Sequence, residues 1–317
     1  MLYLYLGLCF SSSCVNENII SGRSYYNTGS ISISDCVFIR QQSFNEHGGV
    51  ICLTSSGQKM DILFCIFSMC SVDSAPELLG GAIHFKSESS TIKFVCAYKC
   101  SSVYVGQFAY IICSQDNYVQ YLSLTGCFKA SYTIELVSGI QTMEQSNSSL
   151  NSNNWGSGLY FTSTSSNKVQ YCTIANNQAT SSICIEMNGV FGAKLKMNNI
   201  LENSSPSSYG VFLVYGSSTP RIENCIFYNN KDTLFYLQSG SLTTVECFIS
   251  HAFTLSFGSI ANLNNQYPQL THSHILKHFL TQNCHANHPV NPKITNNPLK
   301  ISHLLSIFTL LFIILIE

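Results

Sequence analysis

A short phrase recurs along this chain and narrows the folds open to it. The phrase is an apolar or β-branched residue, about two residues more, Cys or a small polar residue, and then an apolar pair. It reads Ile33-Ser-Asp-Cys36-Val-Phe38, Leu63-Phe-Cys65-Ile-Phe67 and Phe94-Val-Cys96-Ala-Tyr98 in the first third. It returns as Val169-Gln-Tyr-Cys172-Thr-Ile174, Ile222-Glu-Asn-Cys225-Ile-Phe227 and Val245-Glu-Cys247-Phe-Ile249. Weaker copies stand at Tyr121-Leu-Ser-Leu124 and Leu195-Lys-Met-Asn-Asn-Ile200. Cys36 to Cys65 and Cys65 to Cys96 are 29 and 31 residues, Cys172 to Cys225 is 53, and Cys225 to Cys247 is 22. Self-similarity at this loose period is the mark of a solenoid.

A second phrase follows the first. Gly48-Gly49-Val-Ile51 comes 12 residues after Cys36, and Gly80-Gly81-Ala-Ile83 comes 15 after Cys65. Degenerate versions are Gly158-Leu-Tyr-Phe161 and Gly210-Val-Phe-Leu213. Each unit therefore holds two or three short apolar strands separated by Ser/Asn/Gly turns. Leucine-rich repeats need a Leu/Asn framework and helical repeats a 3.6-residue period, and neither pattern is present. Short runs rich in Val, Ile, Phe, Tyr and Thr, bounded by turn residues, predict an all-β fold. A right-handed parallel β-helix accounts for the period and for its irregularity, because each coil adds one strand to each sheet while turn lengths vary. About nine coils are expected from Ile31 to about Asn265, within a repeat domain spanning 15–265. At about 4.8 Å per strand that is a rod on the order of 43 Å.

Composition agrees with a β-rich wall. Hydrophobic residues make up 45% and charged residues only 10%, against roughly 25% charged in an average domain. Ser, Thr and Asn stand where charge is missing, which excludes the charged, apolar-poor composition of disordered chains. The net charge is −1 and the only arginines are Arg23, Arg40 and Arg221. No concentrated basic face, and so no nucleic-acid partner, is expected.

The 15 cysteines show no paired CxxC zinc pattern. In a β-helix equivalent positions of successive coils stack, so Cys36, Cys65, Cys96, Cys172, Cys225 and Cys247 are expected to form an inward ladder. Packed thiols and stacked disulfides are both open readings of such a ladder. Cys52, Cys70, Cys100, Cys113, Cys127 and Cys184 are expected to pair locally.

Together the two phrases resemble the repeats of the polymorphic outer membrane proteins. Those are bacterial surface proteins of the pectin-lyase-like right-handed β-helix superfamily, and similar repeats occur in surface proteins of parasitic protists. Gly80-Gly81-Ala-Ile83 matches the first motif, and Gly48-Gly49-Val-Ile51 differs at one position. Phe227-Tyr-Asn-Asn230 matches the second, with Phe38 and Phe67 at the equivalent place. The resemblance covers Ile31–Ile249 and implies a non-catalytic, adhesin-like β-helix without a cofactor. The last residues do not resemble an autotransporter barrel. Physically, the glycines suit φ > 0 or close backbone approach, and Asn residues suit a stacked amide ladder.

The two ends read differently from the middle. Residues 1–14 are an apolar stretch followed by small residues, a signal peptide without its basic start or an N-terminal cap. Residues 266–300 form a His/Asn/Pro-rich linker. Ile301–Ile316 is a candidate transmembrane helix, somewhat short for a bilayer, with Lys293 and Lys300 before it and no base after it. The sequons Asn147-Ser-Ser149 and Asn203-Ser-Ser205 fit an extracellular protein.

Three places in the sequence carry residues with candidate chemistry. Pectin-degrading β-helices use clustered carboxylates, but Asp35, Asp61 and Asp73 fall at different registers and Asp116 and Asp232 stand alone. Trp155 is a candidate sugar-stacking platform, against the plainer reading of an exposed turn residue. His272, His274, His278, Cys284, His285 and His288 include an i,i+4 histidine pair suited to a metal, against the plainer reading of an exposed stretch beside a linker. No catalytic, metal or cofactor residue is assigned. The expected protein is a non-catalytic, surface-exposed β-helix, membrane-anchored or secreted, adhesive or structural, with an unidentified host-cell or extracellular ligand. A carbohydrate-active β-helix enzyme is the alternative. Zinc titration of a peptide covering 270–290 is expected to show no binding tighter than micromolar; tighter binding would revive the metal reading.

Overall fold

The computed structural model describes residues 29–265 except Asn45, 74–75, 154–155, 163–166, 181–183, 206–208, 251–253, Phe257 and Asn264. It also describes the backbone of Ser13–Val15, Asn18–Ile19 and Tyr25–Tyr26. All of these lie in the first of two compact units, Met1–Asn287. The histidine cluster, Trp155, the linker and the 301–316 stretch lie outside the described residues. Among the described residues no helix is long and apolar enough to cross a membrane.

One coil shows the plan of all. A strand at Ile31–Ser34 turns at Asp35 and continues as Val37–Ile39. The chain turns again at Arg40, forms a short strand at Gln42–Ser43, and passes a glycine loop into Ile51–Leu53. The next coil opens at Lys59–Leu63. The first two strands of every coil build a 19-stranded sheet, the last builds a 10-stranded sheet, and the short strands build sheets of five and two strands. Single bridges through Ser101 join the last two. Every pairing is parallel and runs one coil to the next, as in Ile33↔Ile62, Ile62↔Ile92 and Ile92↔Val119. The fold is an all-β parallel β-helix. Nine left-handed corner residues from Asp35 to Glu246 bracket eight complete turns of 22 to 30 residues, against the nine coils expected.

Alternation along each strand decides what fills the tube. In the first sheet Ile33, Ile62, Ile92, Val119, Met143, Val169, Leu195 and Ile222 point inward and are buried. After the first corner, Phe38, Phe67, Ala97, Leu124, Ser148, Ile174, Ile200 and Phe227 share one inward column. The rings of Phe38 and Phe67 stack at 4.9 Å. Phe227 thus repeats the place of Phe38 and Phe67.

The corners need a different device. A left-handed corner leaves the next amide pointing along the axis at a place where no strand carbonyl faces it. At most corners a side chain from the following coil accepts it instead, the apolar Val95 and Leu122 being the exceptions. At the first corner Cys172 N–H donates to Asn198 Oδ1 at 2.9 Å, and Asn198 N–H donates to Cys225 Sγ at 3.3 Å. At the second corner Cys127, Asn151, Asn177 and Asn203 each donate their N–H to the next Asn Oδ1, ending at Asn230, at 2.9–3.1 Å. The Asn Nδ2 groups of 177, 203 and 230 donate back to Ser148, Ile174 and Ile200 carbonyls at 2.7–2.9 Å. Such pairing removes the 1–3 kcal/mol penalty of a buried unsatisfied group.

Cysteine occupies the same places. Cys36, Cys65, Cys172, Cys225 and Cys247 directly follow the first corner; Cys70, Cys100 and Cys127 directly follow the second. Their thiols donate to carbonyls of the preceding coil, as Cys65 to Ile33, Cys70 to Phe38 and Cys100 to Phe67 at 3.6–3.8 Å. Cys96 does not belong to this ladder. Val95 follows the corner at Phe94 and is fully buried, whereas Cys96 pairs with Ile66 and Ser123 on the outer side of the strand. The 31-residue interval looked like the period, but corner to corner it is 30. Cys96 is disulfide-bonded. The other eleven described cysteines, including Cys52, Cys70, Cys100, Cys113, Cys127 and Cys184, are free thiols and form no local pairs.

The glycine phrase has two separate causes. Gly48 and Gly80 hold φ near +65°, continued by Gly106. Gly49 and Gly81 are ordinary in φ, but a Cβ at Gly81 would overlap the carbonyls of Gln107 and Ser101 in the next coil. Gly158 sits one residue beyond the register of Gly81, whereas Gly210 sits at that register with φ of 71°. The sequons are also corrected: Asn203 is fully buried in the amide ladder and Asn147 is 6% exposed in the wall.

Asn203→Ala strips the acceptor from Asn177 and the donor to Ile174, and is expected to lower unfolding free energy by about 2–4 kcal/mol in urea. The exposed neighbour change Gln178→Ala should stay within about 0.5 kcal/mol. Equal effects would contradict the ladder.

Candidate functional site

The 10-stranded sheet carries an outward column that is buried although it faces away from the core. In strands Ile83–Ser87, Ala109–Cys113, Ile134–Val137, Leu159–Thr162 and Ile185–Asn188 the first residue of each points inward. The second points outward, so His84, Tyr110, Glu135, Tyr160 and Glu186 stack in register. Cys52 precedes them. Only 4% of His84, 8% of Glu135 and 9% of Glu186 is exposed.

Side chains from the preceding turns cover this column. The His47 ring lies 4.5 Å from His84, and Tyr132 lies 4.8 Å from Tyr160. Tyr132 reaches along the axis because Gly156 has no Cβ; one there would overlap the phenol ring. The Tyr132 hydroxyl donates to Glu186 Oε2. Glu135 Oε2 is buried with no hydrogen-bond partner.

Burial sets the chemistry. Glu135 is pushed up to about 8 by burial and then by Glu186, so its carboxyl is a protonated acid at neutral pH. Burial also raises Glu186, and the Tyr132 hydroxyl partly offsets this. Tyr110 and Tyr160 are pushed up to about 12, chiefly by burial. His84 is lowered to about 4, first by burial and then by His47 and Lys86. The Cys52 thiol, 3.8 Å from His84 Nδ1, is pushed up to about 11 by burial and Glu46. It is therefore a thiol and not the nucleophilic thiolate. The arrangement offers a neutral carboxylic acid and a second carboxyl two coils away, about 10 Å along the axis.

Apart from Cys52, read there as a cysteine that pairs locally, none of these residues stands out in the sequence. The two glutamates are 51 residues apart, so their spacing does not show them as a pair. One signal was present: Ile134-Glu-Leu136 and Ile185-Glu-Met187 repeat the same apolar-Glu-apolar strand phrase. The sequence-derived positions Cys36, Cys65, Cys172, Cys225, Cys247, Gly48, Gly49, Gly80, Gly81, Phe227 and Asn230 all lie in the coil wall or its core, none of them in this column. Among the described residues no group of three His, Cys, Asp or Glu side chains is placed to hold a metal.

No protein family, curated protein or solved structure matches the chain. The β-helix therefore stands on its own geometry, and the likeness to outer-membrane repeats rests on the two motifs.

Folded Glu135 keeps its proton up to about 8, against 4.5 for an ordinary Glu. Its stabilising contribution is complete below pH 4.5 and lost as pH rises to about 8. His84 works in the opposite sense, losing stability as pH falls from 6.5 through about 4. The Glu135 slope is thus cleanest above pH 6.5, at most about 1.4 kcal/mol per pH unit. Urea midpoints should fall there in the wild type and stay flatter in Glu135→Gln; identical slopes would remove Glu135 as the cause.

Proposed function

We propose that this chain is a non-catalytic β-helix displayed at a cell surface, held by the apolar stretch 301–316 and serving as an adhesive or structural rod. The observation that carries the reading is an aromatic rib on the first corner. Phe64, Phe94 and Tyr121 occupy successive corner positions with φ of 53°, 55° and 53°. Their rings stack at 4.8 and 4.6 Å, and Phe64 is 54% exposed.

Every coil needs a left-handed corner, but none needs an aromatic there. A side chain with a Cβ costs about 1–2 kcal/mol in that conformation, least for Asn and Asp. Other coils use Asp35, Gln145, Tyr171, Met197, Asn224 and Glu246 at this place. Three aromatics in a row expose stacked apolar surface without filling the core, and apolar surface of this kind marks contact sites. A repeating rib also suits avidity, since weak contacts add along the rod.

A second reading is favoured by one observation, the Glu135–Glu186 pair. Its spacing of about 10 Å is closer to that of inverting than of retaining glycosidases. Burial beneath Tyr132 and Tyr160 sets it against the exposed rib.

Two measurements test the proposal. The full chain should sediment with membranes and be cut by external protease, and removal of 301–317 should release it; soluble full-length chain would contradict the anchor. Beads coated with the chain should adhere to cultured cells, and Phe64→Ser with Phe94→Ser should reduce adhesion several-fold. Release of reducing ends from a polysaccharide panel, abolished by Glu135→Gln or Glu186→Gln, would instead establish the enzyme.

A further inference from the structure

We propose that the outer face of the 19-stranded sheet around Lys168, Lys194, Lys196 and Arg221 docks on an anionic lipid bilayer. The proposal deepens the surface reading and rests on it only in placing the chain beside a membrane.

Strands Lys168–Gln170, Lys194–Lys196 and Arg221–Glu223 lie in successive coils. Their register puts Lys168, Lys194 and Arg221 in one outward column and Lys196 in the next. The inward residues Val169, Leu195 and Ile222 do the packing, so the fold leaves the outward choice open. Ser32, Asp61, Thr91, Tyr118, Thr142 and Thr243 occupy the same column elsewhere. Here stand four of the chain's 15 basic residues, about 4.8 Å apart from coil to coil. Like charges directly opposite one another oppose folding, so their place is explained by something outside the fold.

The cations remain accessible. Lys168 pairs with Glu144 at 2.8 Å and Arg221 with Glu223 at 2.5 Å, with the two basic side chains 50% and 44% exposed. Solvent-exposed pairs of this kind hold their partners weakly. Lys194 and Lys196 are exposed and make no ion pair among the described residues. Glu223 is held below the usual carboxylate range first by Arg221, with Lys196 and Lys194 adding to it, so these three cations share one field.

Lipid fits this face better than a soluble polyanion. The cations spread over two columns of a sheet, where a flat bilayer meets all four together while a single polymer strand follows one column. Exposed aromatics flank them: Phe191, 48% exposed, in the turn before Lys194, and Tyr171, 38% exposed, at the corner after Gln170. Aromatics beside cations are the composition of a membrane interface. Each cation near an anionic surface strengthens binding by about fivefold.

The test is partitioning of the full chain onto vesicles of phosphatidylcholine with or without phosphatidylserine. Lys194→Gln with Lys196→Gln should weaken binding to the anionic vesicles by about 30-fold and leave binding to neutral vesicles unchanged. The arginine double variant, Lys194→Arg with Lys196→Arg, should retain it, and added salt should erase the preference. Neutral-vesicle binding measures the C-terminal span separately, so failure of the anchor and failure of this face are told apart. Equal binding to both vesicles, or an unaffected glutamine variant, overturns the proposal. So does tighter, lysine-dependent binding to single-stranded DNA or a sulfated polysaccharide.

Discussion

The amide that follows each left-handed corner is the point on which this fold depends. Within a strand, backbone donors and acceptors find partners one coil away without help. At the corner the chain swings aside, and one N–H per corner is buried facing no carbonyl. At most corners a side chain with an acceptor rises from the next coil to meet it, small enough to sit inside the bend; at two first corners Val95 and Leu122 fill that place with apolar side chains. Asn meets the need with a strong acceptor and returns a donor to the coil below. Cys meets it with a weaker sulfur acceptor and a weak donor while behaving as an apolar filler.

That exchange explains what could be read from the sequence. Cysteine is rare enough for its recurrence to be seen, so the phrase around Cys36, Cys65, Cys172, Cys225 and Cys247 exposed the solenoid. The second ladder, from Cys70 through Cys127 to Asn230, is legible only at its Asn end, where the motif ending in Asn230 suits a stacked amide ladder, because Asn is common in turns and gives way to Cys midway. Cys96 shows the reverse: it is a cysteine near the period, yet Val95 fills the place after the corner. Gly81 was legible as a close approach, but only the next coil shows that the Gln107 carbonyl is what it avoids.

Exterior columns were far less legible. Glu135 and Glu186, or Lys168, Lys194 and Arg221, lie 26 to 51 residues from their column neighbours, across turns whose lengths differ from coil to coil. Neighbours in such a column are set by register, and register is set by the corners. Once the corners are known, the outside resolves into an aromatic rib, a buried acid–tyrosine column and a basic face. A tube with a satisfied interior leaves these columns free to vary, which is why a parallel β-helix can change its contacts without changing its fold.

The corner account is tested most directly by residue-resolved thiol alkylation without reductant. It predicts that Cys36, Cys65, Cys70, Cys100, Cys127, Cys172, Cys225 and Cys247 are protected in the native protein and all react once it is denatured, while Cys96 reacts only after reduction. Rapid labelling of these eight in the native state, or their failure to label after denaturation, would contradict inward ladders of free thiols at the corners.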